Sequence, residues 1–267
     1  MINDWLAELP ARGHPTHVIH LLKRHPFPVV AWFERVVAVS FAFPEEVLWP
    51  LVPEPLEIDS HDGFGFVTVA LVWTKGLRPA VFPEFPGQDF FLAGYRIFTR
   101  LRDEKGRRMR GLKILRSETD KARMVLSGNL LTHYNYRRVK LEASDSRVRT
   151  WLPDGRETLD LSFDLTDEPD APPAGSPFAD LRSARNFAGP MPFTFDAEGD
   201  GRFVVIEGKR TEWTPRPVRI LDWKVGLFDE APFRGVTPVL ANAFRVDGVP
   251  YRWEKGRLIT PGRERDE

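Results

Sequence analysis

The sequence of 267 residues contains no cysteine. This absence excludes a disulfide framework, a zinc–thiolate site and a thiol nucleophile, and it favours a cytoplasmic protein that is held together by packing alone. No apolar run approaches the roughly 20 residues that a membrane-spanning helix needs. Residues 1–10 also lack the pattern of a secretory signal. We therefore predict a soluble, cytoplasmic protein that has no membrane partner.

The net charge is zero, because 38 basic residues balance 38 acidic residues. The charges are nevertheless unevenly distributed: residues 96–149 hold 16 Lys and Arg against 6 Asp and Glu, and residues 153–200 hold 3 against 11. Such asymmetry arises at a nucleic-acid surface, or where neighbouring strands pair opposite charges on a solvated sheet face. We favour the second interpretation, since it needs no further assumption.

Motifs that bind phosphates or metals, or that carry an activated serine, are not evident. Gly63-Phe64-Gly65 leads into a predicted strand and not into a helix, and no Gly-x-Ser-x-Gly sequence occurs. Four histidines, His14, His17, His20 and His25, lie within twelve residues. A metal site would need rigid geometry and a further ligand, so we interpret them as surface histidines. We predict neither a metal nor a cofactor.

Apolar residues recur at alternate positions along most of the chain. In residues 158–165, Leu159, Leu161 and Phe163 fall on one face while Asp160 and Ser162 fall on the other, which is typical of a strand with one buried face. Further strands are predicted at residues 36–43, 64–73, 95–101, 109–115, 136–141, 147–152, 203–207, 218–223 and 243–246. So many strands favour a mainly β (α+β) fold, closed as a barrel or a sandwich, because an open sheet would expose its edges.

Helices are predicted to be few and short. The candidates are residues 17–23, capped by Thr16, and residues 45–51, 120–131 and 178–185. All-β chains of this length commonly form one domain. We predict an N-terminal extension at residues 1–30, a single domain at residues 31–260 and a disordered tail at residues 261–267.

One stretch predicts a ligand pocket. Residues 111–142 form a strand and a helix, and the strand that follows begins with His133-Tyr134-Asn135-Tyr136-Arg137-Arg138. An anion-binding pocket needs such groups, because arginine matches carboxylates and tyrosine donates hydrogen bonds. Alternatively, the tyrosines are ordinary barrel residues and Arg138 lies on a solvated face. The pocket candidates are His133, Tyr134, Asn135, Tyr136, Arg138, Arg96 and Lys113; no catalytic residue is assigned.

The segment Leu51-Val52-Pro53-Glu54-Pro55-Leu56-Glu57 resembles a sequence found in acetoacetate decarboxylases. The Arg78-Pro79 pair, the Pro86-Gly87 turn and the strand at Tyr95 follow in an order similar to the uncharacterised YqjF-like branch of that superfamily, a domain of unknown function. Thr132-His133-Tyr134, followed by Arg138, is similar to a Leu-Pro-Tyr element of the same branch. The resemblance covers roughly residues 34–256.

This resemblance implies a cone-like antiparallel β-barrel with a few short flanking helices, a small and partly apolar pocket, and a possible homo-oligomer. The decarboxylases use a Schiff-base lysine, whose position falls on Tyr134 and Asn135 or, in a shifted register, on Arg137 and Arg138. None of these side chains forms an imine. Lys113 stays a reserve candidate, because strand alternation places it opposite its neighbours Leu112 and Ile114.

We therefore expect a small-molecule pocket protein that binds an organic acid or a carbonyl compound without a Schiff-base lysine. If it is an enzyme, a lyase-like or acid/base activity would use His133 and the tyrosines. Two alternatives stay open at this point: a non-enzymatic interaction protein with a vestigial pocket, and a nucleic-acid binder that uses residues 96–149 with Tyr95, Tyr134 and Tyr136 as stacking platforms.

Overall fold

The computed structural model describes residues 21–82, 86–189 and 191–262. Strands account for 52% of the described residues and helices for 13%, so the prediction of a mainly β fold with few short helices is confirmed. Most of the helix predicted at residues 17–23 lies outside the described residues. No helix in the described part of the chain has the length and apolar character needed to span a bilayer.

The described part of the chain contains fifteen strands and five short helical segments, joined by turns and loops. The strands are β1 (Val29–Pro44), β2 (Glu57–Ile58), β3 (Phe64–Pro79), β4 (Gln88–Arg102), β5 (Arg108–Thr119), β6 (Tyr136–Arg138), β7 (Lys140–Ala143), β8 (Arg147–Trp151), β9 (Glu157–Asp164), β10 (Phe193–Ala197), β11 (Phe203–Arg210), β12 (Arg216–Pro217), β13 (Arg219–Val225), β14 (Val239–Trp253) and β15 (Arg257–Ile259). The α-helices are α1 (Glu45–Leu48), α2 (Ala122–Leu131) and α3 (Leu181–Phe187), and the 3₁₀ helices are η1 (Trp49–Leu51) and η2 (Gly226–Asp229).

Seven strands close into a ring. The order is β14, β1, β3, β4, β5, β10 and β11, and β11 pairs again with β14. Neighbouring strands are antiparallel except for β5 and β10, which run parallel over a short register. Closure removes the exposed edges that an open sheet would present. A second sheet of four strands, in the order β13, β9, β8 and β7, is separate from the ring.

The main core lies between the ring and the second sheet. Val37 and Val39 of β1 share a buried cluster with Leu159, Leu161 and Phe163 of β9. The alternation seen in the sequence therefore identifies the core face of β9. On its other face, Asp160 pairs with Arg147 of β8. Opposite charges thus pair across strands, which is the arrangement that the sequence analysis favoured.

A buried carboxylate links the two sheets. Glu118 of β5 is fully buried and accepts hydrogen bonds from Tyr95, at 3.2 Å, and from Thr158 of β9, at 2.9 Å. The Arg137 guanidinium supplies the compensating charge, with Nε 2.9 Å from the carboxylate. A buried charge with several partners fixes the groups around it. This network holds β6, and hence the preceding turn from α2, against β5.

The predicted strands differ from the structure in several places, and the short strands β2, β12 and β15 were not predicted. The single strand predicted at residues 136–141 is two strands in different sheets: β6 pairs with β5, and β7 pairs with β8. The polypeptide passes between the sheets at Val139, which is buried. Strand β10 was not predicted, because its five residues, Phe193–Ala197, give too short an alternation to recognise.

Candidate functional site: a cavity inside the strand ring

The ring encloses a cavity of about 320 Å³. Its walls come from the inward faces of the ring strands, and Met124, Gly128 and Leu131 of α2 close one side. The volume is at the lower end of the range of small-molecule sites, roughly 300 to 1,000 Å³. Most of the lining side chains are aliphatic or aromatic, so each polar group that faces the cavity is conspicuous.

Helix α2 positions two of the tyrosines at the cavity wall. Its Asn129 side chain bonds both backbone groups of Tyr136, each at 2.8 Å. A Cβ on Gly128 would overlap the Tyr136 ring, so glycine is required for the helix to approach β6 this closely. In the intervening turn, the Tyr134 hydroxyl lies 2.8 Å from Thr194 Oγ1 on β10.

A row of polar residues crosses the otherwise apolar ring. Asn242 of β14, Ser40 of β1, Thr68 of β3 and Arg96 of β4 are paired successively across four adjacent strands. Ser40 and Thr68 share a hydrogen bond of 2.7 Å between their hydroxyls. Thr68 and Arg96 line the cavity, so the row presents a hydroxyl and a guanidinium to any bound molecule.

Arg96 is the most unusual residue of this row. It is partly buried, and it lines the cavity. Within the described residues it makes no hydrogen bond and no ion pair, and its Nε is fully enclosed without a partner. Burial lowers the pKa of Arg96, but a guanidinium stays protonated in proteins. The cavity therefore contains an uncompensated positive charge.

Three phenols of the cavity lining interact with this charge. Tyr134, Tyr136 and Tyr251 each interact electrostatically with Arg96. Burial is the largest influence on all three, and it raises the pKa of each hydroxyl above its ordinary value of 10.0. The phenols stay neutral at physiological pH and act as hydrogen-bond donors. Arginine and neutral phenols together form an environment that suits a carboxylate.

Two further arginines line the same cavity. Arg210 of β11 stacks over Trp213, with its Cζ 4.2 Å from the ring centre. Arg78 of β3 donates one hydrogen bond to the Gly76 carbonyl, while its Nε has no partner in the described residues. Among the described residues that line the cavity there is no Asp, Glu or Lys. The local charge of the described lining is thus strongly positive.

His25 adds a polar atom to the cavity wall. It is 6% exposed, so its interpretation as a surface histidine is wrong, and its Nδ1 has no hydrogen-bond partner within the described part of the chain. Burial lowers its pKa from 6.5 to about 4, against a smaller opposing effect of a hydrogen bond to the Glu254 backbone. The ring is therefore neutral at pH 7, and a neutral imidazole can bond a ligand without adding charge.

Three of the seven pocket candidates from the sequence line the cavity: Arg96, Tyr134 and Tyr136. Lys113 does not. Leu112 and Ile114 on either side of it face the cavity, so alternation directs Lys113 to the other face of β5. There its Nζ lies 3.3 Å from the buried carboxylate of Asp196. Lys113 thus lies outside the cavity lining, paired with Asp196.

The other three candidates also lie off the cavity lining. Asn135 is exposed, adopts a φ of 52°, and donates from its side chain to the Leu115 carbonyl at 3.1 Å. Its role is to shape the turn between α2 and β6. Arg138 is exposed at the end of β6. His133 precedes the lining residue Tyr134 and interacts electrostatically with Asp196.

The nucleic-acid hypothesis does not fit these positions. Tyr95 is fully buried and bonds Glu118, while Tyr134 and Tyr136 face the interior cavity. Stacking platforms for single strands need accessible aromatic faces. None of the three tyrosines provides one, and part of the basic stretch is occupied in ion pairs such as Arg149 with Glu157.

Comparisons with known proteins agree with this architecture. The profile of the DUF2071 family, described as an uncharacterized conserved protein, matches residues 31–250. The structure is similar to acetoacetate decarboxylase from Legionella pneumophila, with a TM-score of 0.58 and 10% identity over 88% of each chain. It is also similar to the enduracididine biosynthesis enzyme MppR bound to a condensation product of pyruvate, with a TM-score of 0.55 and 14% identity over 87% of this chain and 89% of that enzyme.

A third similar structure is an acetoacetate decarboxylase-like enzyme from Sphingomonas wittichii, with a TM-score of 0.52 and 16% identity over 88% of this chain and 92% of the other. Identities this low establish a shared fold and nothing finer. The acetoacetate decarboxylase-like fold suggested by the sequence is therefore confirmed. The search of curated proteins finds no match.

Proposed function

We propose that this chain, which belongs to the DUF2071 family, binds a small organic acid inside the strand ring, with the carboxylate of the ligand on Arg96. The binding uses ion pairing and hydrogen bonds from phenols and does not use an imine. The supporting evidence is the cavity itself: its lining is largely apolar, and Arg96 within it lacks a counter-charge among the described residues.

The uncompensated guanidinium carries the proposal. Taking a charged group out of water costs several kcal/mol unless a partner compensates it. A protein that only needed a stable core would gain from an apolar residue at this position. The observed arginine is therefore best explained by a ligand that supplies the missing anion, for which a carboxylate has the matching two-oxygen geometry.

The rest of the lining defines the ligand further. Apolar side chains surround the polar row, so the acid should carry a hydrocarbon portion. Solved relatives of the same fold include one with pyruvate, a small keto acid, in its structure. The described lining residues lack a lysine, which is why we propose recognition of the carboxylate without covalent capture of a carbonyl.

Thermal shift and calorimetry with small carboxylic acids test this function. A ligand that prefers the folded state raises the melting temperature in proportion to its occupancy. We expect stabilisation by acids with short hydrocarbon chains and none by the corresponding amides or alcohols. Arg96→Gln should lower the affinity roughly 10- to 100-fold, because hydrogen bonds to charged groups contribute about 1.5–3 kcal/mol.

Arg108→Gln is the matched control. Arg108 is exposed at the start of β5 and makes no ion pair within the described residues, so its removal should leave acid binding unchanged. The proposal is overturned if no acid shifts the melting temperature at concentrations well above physiological levels. It is equally overturned if acids bind the Arg96→Gln variant as tightly as the original protein.

A further inference from the structure

Arg210 forms a second polar position in the cavity. It is the last residue of β11, directly opposite Tyr251 of β14 in the pairing that closes the ring. Its guanidinium lies between aromatic rings, 4.2 Å from the centre of Trp213 and 6.0 Å from that of Tyr251. Stacking holds the guanidinium plane in place and leaves its N–H groups free to bond in that plane.

Like Arg96, Arg210 has no carboxylate partner and no side-chain hydrogen bond within the described residues. Burial lowers the pKa of both arginines, and neither effect is offset by a neighbouring acid. Tyr251 interacts electrostatically with both of them. A Cβ on Gly208 would overlap the Tyr251 hydroxyl, so this glycine makes room for the phenol at the cavity wall.

Of the three arginines in the lining, Arg78 bonds the Gly76 carbonyl, whereas Arg96 and Arg210 have no hydrogen-bond or ion-pair partner among the described residues. These two cations face one apolar cavity and repel each other more strongly than they would in water. A ligand with one negative charge would leave the second cation unneutralised. We propose that the ligand is a dianion, a dicarboxylic acid whose two carboxylates are separated by an apolar chain, with one carboxylate on Arg96 and the second on Arg210. This inference rests on the proposed function and specifies the class of acid.

The experiment compares linear dicarboxylates, from succinate to sebacate, with the monocarboxylates of the same chain lengths. Isothermal titration should show one preferred length, at which the diacid binds roughly 10- to 100-fold more tightly than its monoacid, as expected for one additional charged pair. Arg210→Gln should abolish this advantage, and it should change monoacid binding less than Arg96→Gln does. Arg96→Gln should weaken the binding of both classes.

A double-mutant cycle tests whether one diacid contacts both arginines. For a diacid that spans both arginines, the effects of Arg96→Gln and Arg210→Gln should depart from additivity, because the two residues contact one ligand and both interact electrostatically with Tyr251. Arg108→Gln serves again as the control for a general charge effect. If Arg210→Gln does not fold, Arg210→Lys keeps the charge and removes the planar guanidinium, and it should lower the diacid advantage.

The outcomes separate the two proposals. Monoacids and diacids that bind equally well, both dependent on Arg96 and indifferent to Arg210, would overturn the dianion and keep the acid-binding function. A diacid advantage without any preferred length would also overturn it, because a two-point site requires a defined spacing. Failure of every acid to bind would remove the proposed function itself.

Discussion

At the scale of single residues, Arg96 sets the balance between stability and function. Its position on β4 is flanked by buried residues, and Thr68 faces it on the neighbouring strand. Replacing a buried ionic group by an apolar residue of similar volume is often neutral or stabilising by about 1–4 kcal/mol. Binding sites commonly lose stability in this way, because ligand recognition needs groups that the empty protein does not satisfy.

We therefore expect Arg96→Met to raise the unfolding free energy of the ligand-free protein by roughly 1–3 kcal/mol while it removes acid binding. The flexible thioether chain fills the space of the aliphatic stem without a charge. Denaturant unfolding at pH 7 measures the change. Arg108→Met, at an exposed site, should stay within about 0.5 kcal/mol of the original protein.

A marked loss of stability in Arg96→Met would show that the guanidinium has a structural partner and would weaken the case for a ligand. If Arg96 had a structural role, Arg96→Met would not gain stability while it loses acid binding. The two measurements must therefore be made on the same variant.

The site residues that sequence reasoning missed lie far apart in the chain. Tyr251 and Arg210 reach the cavity only because β11 pairs with β14, and a single sequence does not reveal that closure. Arg96 did carry a local signal, since both faces of its strand are apolar around Gly94-Tyr95-Arg96-Ile97-Phe98. An arginine within a strand that is buried on both faces is a recognisable indication of a functional site.

At the scale of elements, α2 contributes one wall of the cavity from outside the ring. Its N-terminus has no side-chain cap, while the Thr132 hydroxyl bonds the Gly128 carbonyl at its C-terminal end. A ten-residue helix is marginal in isolation, so its contact with Tyr136 has to keep it in place. Gly128 is the point of closest approach between the helix and this tyrosine.

Gly128→Ala should consequently destabilise the protein, although alanine is the better helix former by about 1 kcal/mol. The added methyl group overlaps the Tyr136 ring, and overpacking of this kind costs roughly 1–3 kcal/mol. We expect a lower melting temperature and weaker acid binding, because Tyr136 must move at the cavity wall. Thermal unfolding and calorimetry measure the two effects.

Gly199→Ala is the control for this substitution, since nothing lies within 4 Å of a Cβ there and its backbone needs no left-handed conformation. It should leave both quantities close to those of the original protein. If Gly128→Ala instead stabilises the protein, helix propensity outweighs the contact, and α2 does not depend on its fit against Tyr136.

Two kinds of element were most readily predicted from sequence. Strands such as β9 have a long alternation of apolar and polar residues, and helices such as α2 have apolar residues three or four positions apart. Their boundaries differed little: the helix predicted at residues 120–131 is Ala122–Leu131. The parallel pairing of β5 with β6 and with β10 was not predicted. Parallel neighbours need crossovers, and local sequence patterns do not reveal which distant strands they join.

At the scale of the whole molecule, the segment before β1 connects α2 with the chain that follows β14. The His25 amide donates to the Leu131 carbonyl at 3.0 Å, and the Gly256 amide donates to the His25 carbonyl at 2.9 Å. His25 adopts a φ of 54°, in the left-handed region. This conformation and the two backbone bonds direct the imidazole into the interior, where it reaches the cavity.

The buried imidazole makes global stability depend on pH. Its pKa is about 4 in the folded protein and 6.5 in the unfolded chain, so the unfolded chain binds a proton more readily. The contribution of neutral His25 is fully present above pH 6.5 and is lost as the pH falls towards 4. The loss amounts to roughly 3 kcal/mol, since each pKa unit is worth about 1.4 kcal/mol.

His25→Asn isolates this contribution, because asparagine tolerates the left-handed backbone and carries no titrating group. Between pH 6.5 and 4, the unfolding free energy of the original protein should fall more steeply than that of the variant. At the steepest point, the difference in slope corresponds to the uptake of one proton on unfolding. Denaturant titrations across this range measure both curves, and the carboxylates common to the two proteins cancel in the difference. Parallel curves would show that His25 does not titrate on unfolding and that its ring is solvated, which would also remove it from the cavity wall.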